Sequence, residues 1–186
     1  MPIQIAPLTE AYFNQVIHLG NLVHGEGYLD NAMMSEIAAK GYKADVNANF
    51  IALLDNQVIG FRLTYAPQSW QVDKWCSPEL WPVDAGKLCY FKCNTVAEQH
   101  RGKGIGKALL QASINATRLQ GAVGGISHLW KQSPDNAAVG YFSKAGGKLI
   151  KAHAHRWNNN PDHPDYICVL CGKDCQCTAW EMLLLF

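Results

Sequence analysis

The chain has 186 residues, of which 48% are hydrophobic and 17% charged, and its formal net charge is +1. That length suits one domain with a sizeable core, and the composition excludes a disordered chain. A near-neutral balance without a basic stripe excludes a nucleic-acid binder, and no apolar run reaches the ~18 residues needed to cross a bilayer.

The opening stretch, MPIQIAPLTEAYF, has no basic region followed by an apolar one, so no signal peptide is expected. A cytoplasmic protein with reduced thiols and no membrane partner follows as the expectation. IQIAPL alternates apolar and polar residues and reads as a strand. Thr9 is placed to cap a helix over TEAYFNQVIHLGNLV, and NAMMSEIAAKGYKA reads as a second helix. FIALLDNQVIGFRLTY predicts two strands joined at Asp55-Asn56. Residues 66–86 form a loop region with three prolines and three tryptophans, and KLCYFKCNTV is a largely apolar, central strand. GIGKALLQASINATRLQG is the clearest helix, with Ile105, Leu109, Ala112, Ala116 and Leu119 on one face and Gly121 just past its end. ISHLW, NAAVGYFSKAG, KLIKAHAHRW and TAWEMLLLF then read as strand, helix, strand and strand. The order predicts one mixed α/β domain over residues 1–186.

EQHRGKGIGKALL joins the central strand to the clearest helix. Gly102, Gly104 and Gly106 allow a tight turn and close approach of a ligand. The first helical N–H groups lack intrahelical partners, and the helix dipole adds positive charge there. Together with Arg101, Lys103 and Lys107 this makes a phosphate pocket, although a bare glycine turn would look similar. A P-loop is excluded by spacing, because three residues separate Gly102 from Gly106 and Ala108 follows Lys107. The dinucleotide fingerprint also fails on its last glycine.

Arg101, Gly104 and Gly106 match Arg/Gln-x-x-Gly-x-Gly/Ala, and here the chain resembles the GNAT superfamily of acyl-coenzyme-A-dependent N-acetyltransferases. A second family pattern, Asn-x-x-Ala-x-x-x-Tyr-x-x-x-Gly, is matched in part by Asp135, Ala138, Phe142 and Gly146. The order of elements is similar from Ile3 to Phe186. The resemblance implies a mostly antiparallel sheet of six to seven strands with about four helices. It also implies central strands that splay apart at a bulge. Pantetheine would lie along Asn94, Thr95 and Val96, and pyrophosphate on residues 101 to 107, Ile105 included. Asp135 and Asn136 would sit by the coenzyme, and acetyl-CoA would be the co-substrate.

The implied reaction is direct attack by a primary amine of a small-molecule or protein acceptor. A backbone N–H on the splayed strand would polarise the thioester carbonyl. The enzyme would act mainly by positioning its two substrates. The amine must lose a proton, and family members often use a Glu on the central strand. Lys87 to Val96 carries no acid, so His24 and Glu26 in VHGEGY and His128 are the candidate bases. The family's thiolate is commonly protonated by a Tyr, but the register places Phe142 there. Either Tyr141, next to it, is the acid, or water serves. Two readings therefore stand: an N-acetyltransferase, monomeric or homodimeric, or a non-catalytic acyl-CoA-binding sensor.

Trp70, Trp75 and Trp81 with Asp73, Glu79 and Asp84 suit a cationic amine at the acceptor site, or pack the loop on the body. CVLCGKDCQC holds four of the seven cysteines. Cys168 and Cys171 resemble half a zinc knuckle, and Cys175 and Cys177 complete a candidate structural zinc site in a hairpin over 163–178. On a regular strand, thiolates two apart would sit far apart for one tetrahedron, and His153, His155 or His163 would be substitutes. Buried free thiols and redox chemistry are the alternatives. A zinc-ribbon nucleic-acid module is opposed by the net charge.

Overall fold

The structure is a computed structural model, and it describes residues 2–160 and 163–186. The strands are β1 (Gln4–Pro7), β2 (Tyr42–Lys43), β3 (Val46–Asn47), β4 (Phe50–Leu54), β5 (Gln57–Tyr65), β6 (Leu88–Val96), β7 (Gly124–Trp130), β8 (Lys148–Ala154) and β9 (Thr178–Leu185). The helices are α1 (Phe13–His24), α2 (Asn31–Gly41), α3 (Ile105–Leu119) and α4 (Ala137–Lys144). Seven strands form one sheet in the order β1-β4-β5-β6-β7-β9-β8, and β2 and β3 form a separate small hairpin. The mixed, mostly antiparallel sheet with four helices is the fold class expected above.

Asp55 and Asn56 take φ of 51° and 62°, the mirror-image turn that suits a two-residue hairpin, and they join β4 to β5. Asp30 caps α2 through its side chain, which accepts from the Met33 N–H at 2.8 Å. Thr9 does not cap α1. It precedes a single 3-10 turn, Glu10–Tyr12, without a side-chain bond, and α1 begins at Phe13. The start of the chain therefore turns sharply before its first helix.

The strand pleat sends alternate residues to opposite faces, and helices cover both. Ile51, Leu53, Phe61 and Leu63 meet Val16, Leu19, Met34 and Ile37 of α1 and α2. Ala52 on the other face meets Ile105 and Leu109 of α3, and Phe91 meets Val139 and Phe142 of α4. The buried face of α3 differs from the expected one. Leu119 is 75% exposed, whereas Ser113 and Thr117 are buried. Their hydroxyls are satisfied by backbone carbonyls: Ser113 donates to the Ala48 carbonyl at 2.8 Å and Thr117 to the Ser113 carbonyl at 2.9 Å.

Two irregularities position the site. The register of β5 against β6 jumps from Leu63–Cys93 to Thr64–Phe91, so Lys92 is an extra residue in β6. Such a bulge bends its strand. On the other side, β6 and β7 are the one parallel pair of the large sheet among the described residues, and they pair from Leu88–Gly124 to Tyr90–Ile126. Beyond these residues the two strands diverge.

Candidate active site

The divergence opens a cavity of about 460 Å³. Asn94, Thr95 and Val96 of β6 line it on one side, with Ser127 and His128 of β7 facing them. The Ser127 hydroxyl donates to the Phe91 carbonyl at 2.8 Å, which closes the point where the strands part. The Asn94 side-chain carbonyl is buried with no hydrogen-bond partner among the described residues. A buried acceptor of this kind suits a donor entering the opening.

The glycine turn forms one end of the cavity. Gly102 and Gly104 take φ of 75° and 79°, and a Cβ at either would meet nothing within 4 Å. The left-handed backbone explains the glycines, and the open space before them explains how a phosphate can approach. Gly104 is the N-cap of α3, so the N–H groups that follow point into this space. Arg101, Ile105, Gly106 and Lys107 also line the cavity. Arg101 is held by its Nε, which donates to the Val96 carbonyl at 3.2 Å. The residues expected at the coenzyme are thus gathered, with three exceptions. Lys103, Asp135 and Asn136 are exposed and stand outside the cavity wall, where Ser133 and Pro134 take the place expected of the last two.

Helix α4 presents Tyr141, and not Phe142, to the cavity. Phe142 is fully buried, edge-on to Phe91 at 5.8 Å, whereas Tyr141 lines the cavity. The Arg62 guanidinium donates to the Tyr141 oxygen. Burial raises the phenol above its ordinary value, and the Arg62 charge and hydrogen bond lower it in part. Tyr141 therefore keeps its proton at neutral pH. Because its oxygen accepts from Arg62, that proton is free to turn elsewhere. Arg62, on β5, is 1% exposed, stacks 4.4 Å over Phe91, and leaves its Nε unbonded.

Of the candidate bases, Glu26 is exposed at the α1–α2 connection and does not line the cavity, which removes it from the site. His24 closes α1, stacks on Tyr28 at 4.2 Å and bonds the Thr95 hydroxyl at 2.9 Å. Burial, with the charges of Lys92 and Arg101, lowers its pKa to about 4. His128 sits opposite β6. Its Nε2 meets the Trp75 carbonyl at 2.6 Å, which requires an N–H there. Its Nδ1 then accepts from the Tyr90 hydroxyl at 2.9 Å. Burial and the Arg156 charge lower His128 to about 3, so it too is neutral at pH 7.

Sequence reading missed Tyr90 and Arg62. Tyr90 had no signal of its own, because its meaning depends on the β6–β7 register. Arg62 did have one: a lone cation inside the apolar run VIGFRLTY. Behind His128, Glu181 is fully buried. Burial opposes its ionisation, but donors from His153, the Ser77 N–H and Trp81 outweigh that and hold its pKa below the ordinary value. His128, His153 and Glu181 lie close enough to share a metal. The contacting nitrogens and both carboxylate oxygens are already engaged in these bonds, and the trio reads as a buried polar brace.

Residues 66–86 do not line the cavity. Trp70 and Trp81 point inward, donating to the Leu88 carbonyl and to Glu181, both at 2.8 Å. Asp73, Glu79 and Asp84 are exposed, and Asp73 pairs with Arg156 at 3.6 Å. The loop packs on the body. Tyr28, Tyr90, Arg156, Trp157 and Tyr166 line the cavity instead.

A sheet opened at its parallel junction, with a glycine turn at one end and helices on both faces, is a fold shared with several solved structures. Ard1 from Thermoplasma volcanium is similar over 100% of this chain and 98% of its own, at 14% identity and a TM-score of 0.69. The ribosomal-protein-S18-alanine N-acetyltransferase from Escherichia coli is similar over 99% and 94%, at 13% identity and a TM-score of 0.66. Naa50 from Arabidopsis thaliana, in complex with the bisubstrate analogue CoA-Ac-MVNAL, covers 100% of each chain at 13% identity and a TM-score of 0.66. No curated protein matches the sequence. The profile of the Acetyltransferase (GNAT) family matches residues 20–147, and the chain belongs to that family and is an acyltransferase.

Proposed function

We propose that the protein moves an acetyl group from acetyl-CoA to a primary amine by direct attack in a ternary complex. The observation that carries this reading is the end of β6–β7 pairing at Tyr90–Ile126 beside an open glycine turn. The backbone of Asn94, Thr95 and Val96, on the side away from β5, would pair with the pantetheine amides as with an added strand. The N–H groups at the start of α3, with Arg101 and Lys107, hold the phosphates. The coenzyme supplies the activated acyl thioester.

The amine attacks in its neutral form, and Tyr90 and His128 take up the proton its nitrogen sheds as the C–N bond forms. The Tyr90 hydroxyl passes its proton to Nδ1 of His128 and receives one from the amine, directly or through one water. Tyr141 gives its proton to the departing sulfur, and the Arg62 cation steadies the phenolate left behind. Both roles start from the neutral forms that burial enforces.

The acceptor follows from charge. The cavity is lined by Arg62, Lys92, Arg101, Lys107, Lys144 and Arg156 and by no Asp or Glu among the described residues. A polyamine would meet repulsion there. An amine beside a carbonyl or carboxylate, as in an amino acid or a polypeptide N-terminus, is the better fit to Arg156. Peptide acceptors also agree with the bisubstrate analogue bound to Naa50. With its thiols free, the protein suits the cytoplasm.

The test is thiol release from acetyl-CoA across amino acids, peptides with free N-termini, and spermidine. Release with amino acids or peptides is expected. Tight coenzyme binding without release for any amine would favour a sensor, and release with spermidine alone would overturn the acceptor class.

A further inference from the structure

The coenzyme and proton-transfer roles leave CVLCGKDCQC unused, and its four cysteines come together. The Sγ atoms of Cys168, Cys171, Cys175 and Cys177 all lie within 4.8 Å of one another. Cys168 and Cys177 are 3.9 Å apart, and Cys171 and Cys177 are 3.5 Å apart. Zinc bound to thiolates at ~2.3 Å in a tetrahedron requires sulfur separations of about 3.8 Å. Both measured edges bracket that value.

The backbone explains the convergence. Cys168 and Gly172 exchange N–H to carbonyl bonds of 3.0 and 2.9 Å, and Gly172 takes φ of 72°. This is the knuckle turn that aims Cys168 and Cys171 to one side. Cys175 and Cys177 precede β9 and are not in regular strand, so the separation expected of strand residues two apart does not arise. Three of the four thiols are at most 3% exposed, and Trp130, Trp157 and Tyr166 pack around the cluster. No histidine is needed to complete the set.

We propose that these four cysteines bind one structural zinc ion, and that the ion staples the β8–β9 connection against the α1–α2 connection at the acceptor end of the cavity. All four positions would be filled by protein, so the site is closed to catalysis. The staple is visible in the contacts next to the knuckle. The Ile167 N–H donates to the Glu26 carbonyl at 2.9 Å, and the Val169 N–H to the His24 carbonyl at 3.2 Å. The Tyr166 hydroxyl donates to the same His24 carbonyl at 3.1 Å. Contact is so close that a Cβ at Gly25 would stand 1.9 Å from the Ile167 carbonyl oxygen. A metal at Cys168 fixes the segment that makes these bonds, and so fixes a wall of the cavity.

The experiment is metal analysis of the full chain, purified under reducing conditions without a metal-binding tag. One zinc per chain is expected, and cobalt exchange should give the spectrum of a tetrahedral tetrathiolate site. Loss of outer-shell partners alone costs about 10- to 100-fold in metal affinity, so Cys171→Ser should lose at least about tenfold. Cys76→Ser, outside the cluster, should keep its zinc. Should the serine variant not fold, chelation of the wild type still decides. Four thiols should become reactive together, and amide exchange at Ile167 and Val169 should quicken. Metal-free protein that still binds coenzyme and melts cooperatively would overturn the site, as would an intact mass lacking two hydrogens per cysteine pair. Unchanged exchange at Ile167 and Val169 on zinc release would overturn the staple. None of these readouts depends on acyl transfer, so the two proposals fail separately.

Discussion

Tyr141→Phe isolates the proton that the leaving sulfur is expected to take. The ring stays, so packing against Phe142 at 6.1 Å is kept and only the hydroxyl is lost. General acid catalysis contributes about 10²- to 10⁴-fold. The lower figure is appropriate because water can still reach the opened site, and it corresponds to ~2.7 kcal/mol of barrier at 1.36 kcal/mol per decade. There is also a folding cost. Arg62 is 1% exposed, its Nε already lacks a partner, and the substitution removes the acceptor of its Nη1. Losing a hydrogen bond to a buried charge costs about 1.5–3 kcal/mol. The assay is thiol release at saturating amine and varied acetyl-CoA, with coenzyme binding measured by calorimetry and stability by urea unfolding. The expected result is a turnover lower by about a hundredfold, a KM for acetyl-CoA changed far less, an unchanged coenzyme Kd, and a stability loss of about 2 kcal/mol. Unchanged turnover in a variant that binds coenzyme normally would refute the role of Tyr141. Unchanged stability would refute the dependence of Arg62 on its oxygen.

Other outcomes follow from the same geometry. Because His24 and His128 are lowered to about 4 and about 3, neither changes charge near neutrality. The kcat/KM for the acceptor should rise about tenfold per pH unit up to the pKa of the amine, and an inflection near 6.5 would contradict this. Stability should respond in the opposite region. The folded-state values lie below the unfolded value of 6.5, so the unfolded chain binds protons first, and stability that is complete above 6.5 falls as the pH drops towards 4. For two protons the slope is at most ~2.7 kcal/mol per pH unit, measured by urea unfolding at several pH values. Tyr90→Phe should lower acceptor kcat/KM by about 10²-fold and leave coenzyme affinity unchanged, whereas an equal fall in both would make Tyr90 structural. Gly104→Ala should destabilise the fold by about 1 kcal/mol through its left-handed φ and raise the KM for acetyl-CoA more than the KM for the amine.

Local signals made much of this protein legible. The Asp55-Asn56 turn, the apolar run of β6 and the glycine-to-helix junction each depend on neighbours in sequence, and each is where it was expected. Properties set by contacts between distant segments were harder to see. Ser113 and Thr117 look like a solvent face, but carbonyls at Ala48 and within α3 satisfy their hydroxyls and let them be buried. Leu119 fits the apolar period yet is exposed at the last turn of α3. Tyr90 became meaningful only when β7 placed His128 beside it, 38 residues away. Glu26 looked like a base by residue type, but its carbonyl, and not its carboxylate, is what the structure uses. The separation expected between Cys175 and Cys177 failed for a local reason: it assumed regular strand, and the backbone there is irregular.

The parting of β6 and β7 has a further consequence for solubility. Two strand edges that offer unpaired backbone groups are ordinarily a template for another chain, and proteins guard them with charge, bulges or cover. Here the edges lie at the centre of the sheet and not at its rim. The Lys92 bulge bends one of them, Ser127 bonds across the fork, and α3 and α4 stand over it. A segment from another molecule has no flat approach along which to zip. The same architecture that leaves a strand's width open between β6 and β7 keeps that space from nucleating aggregates.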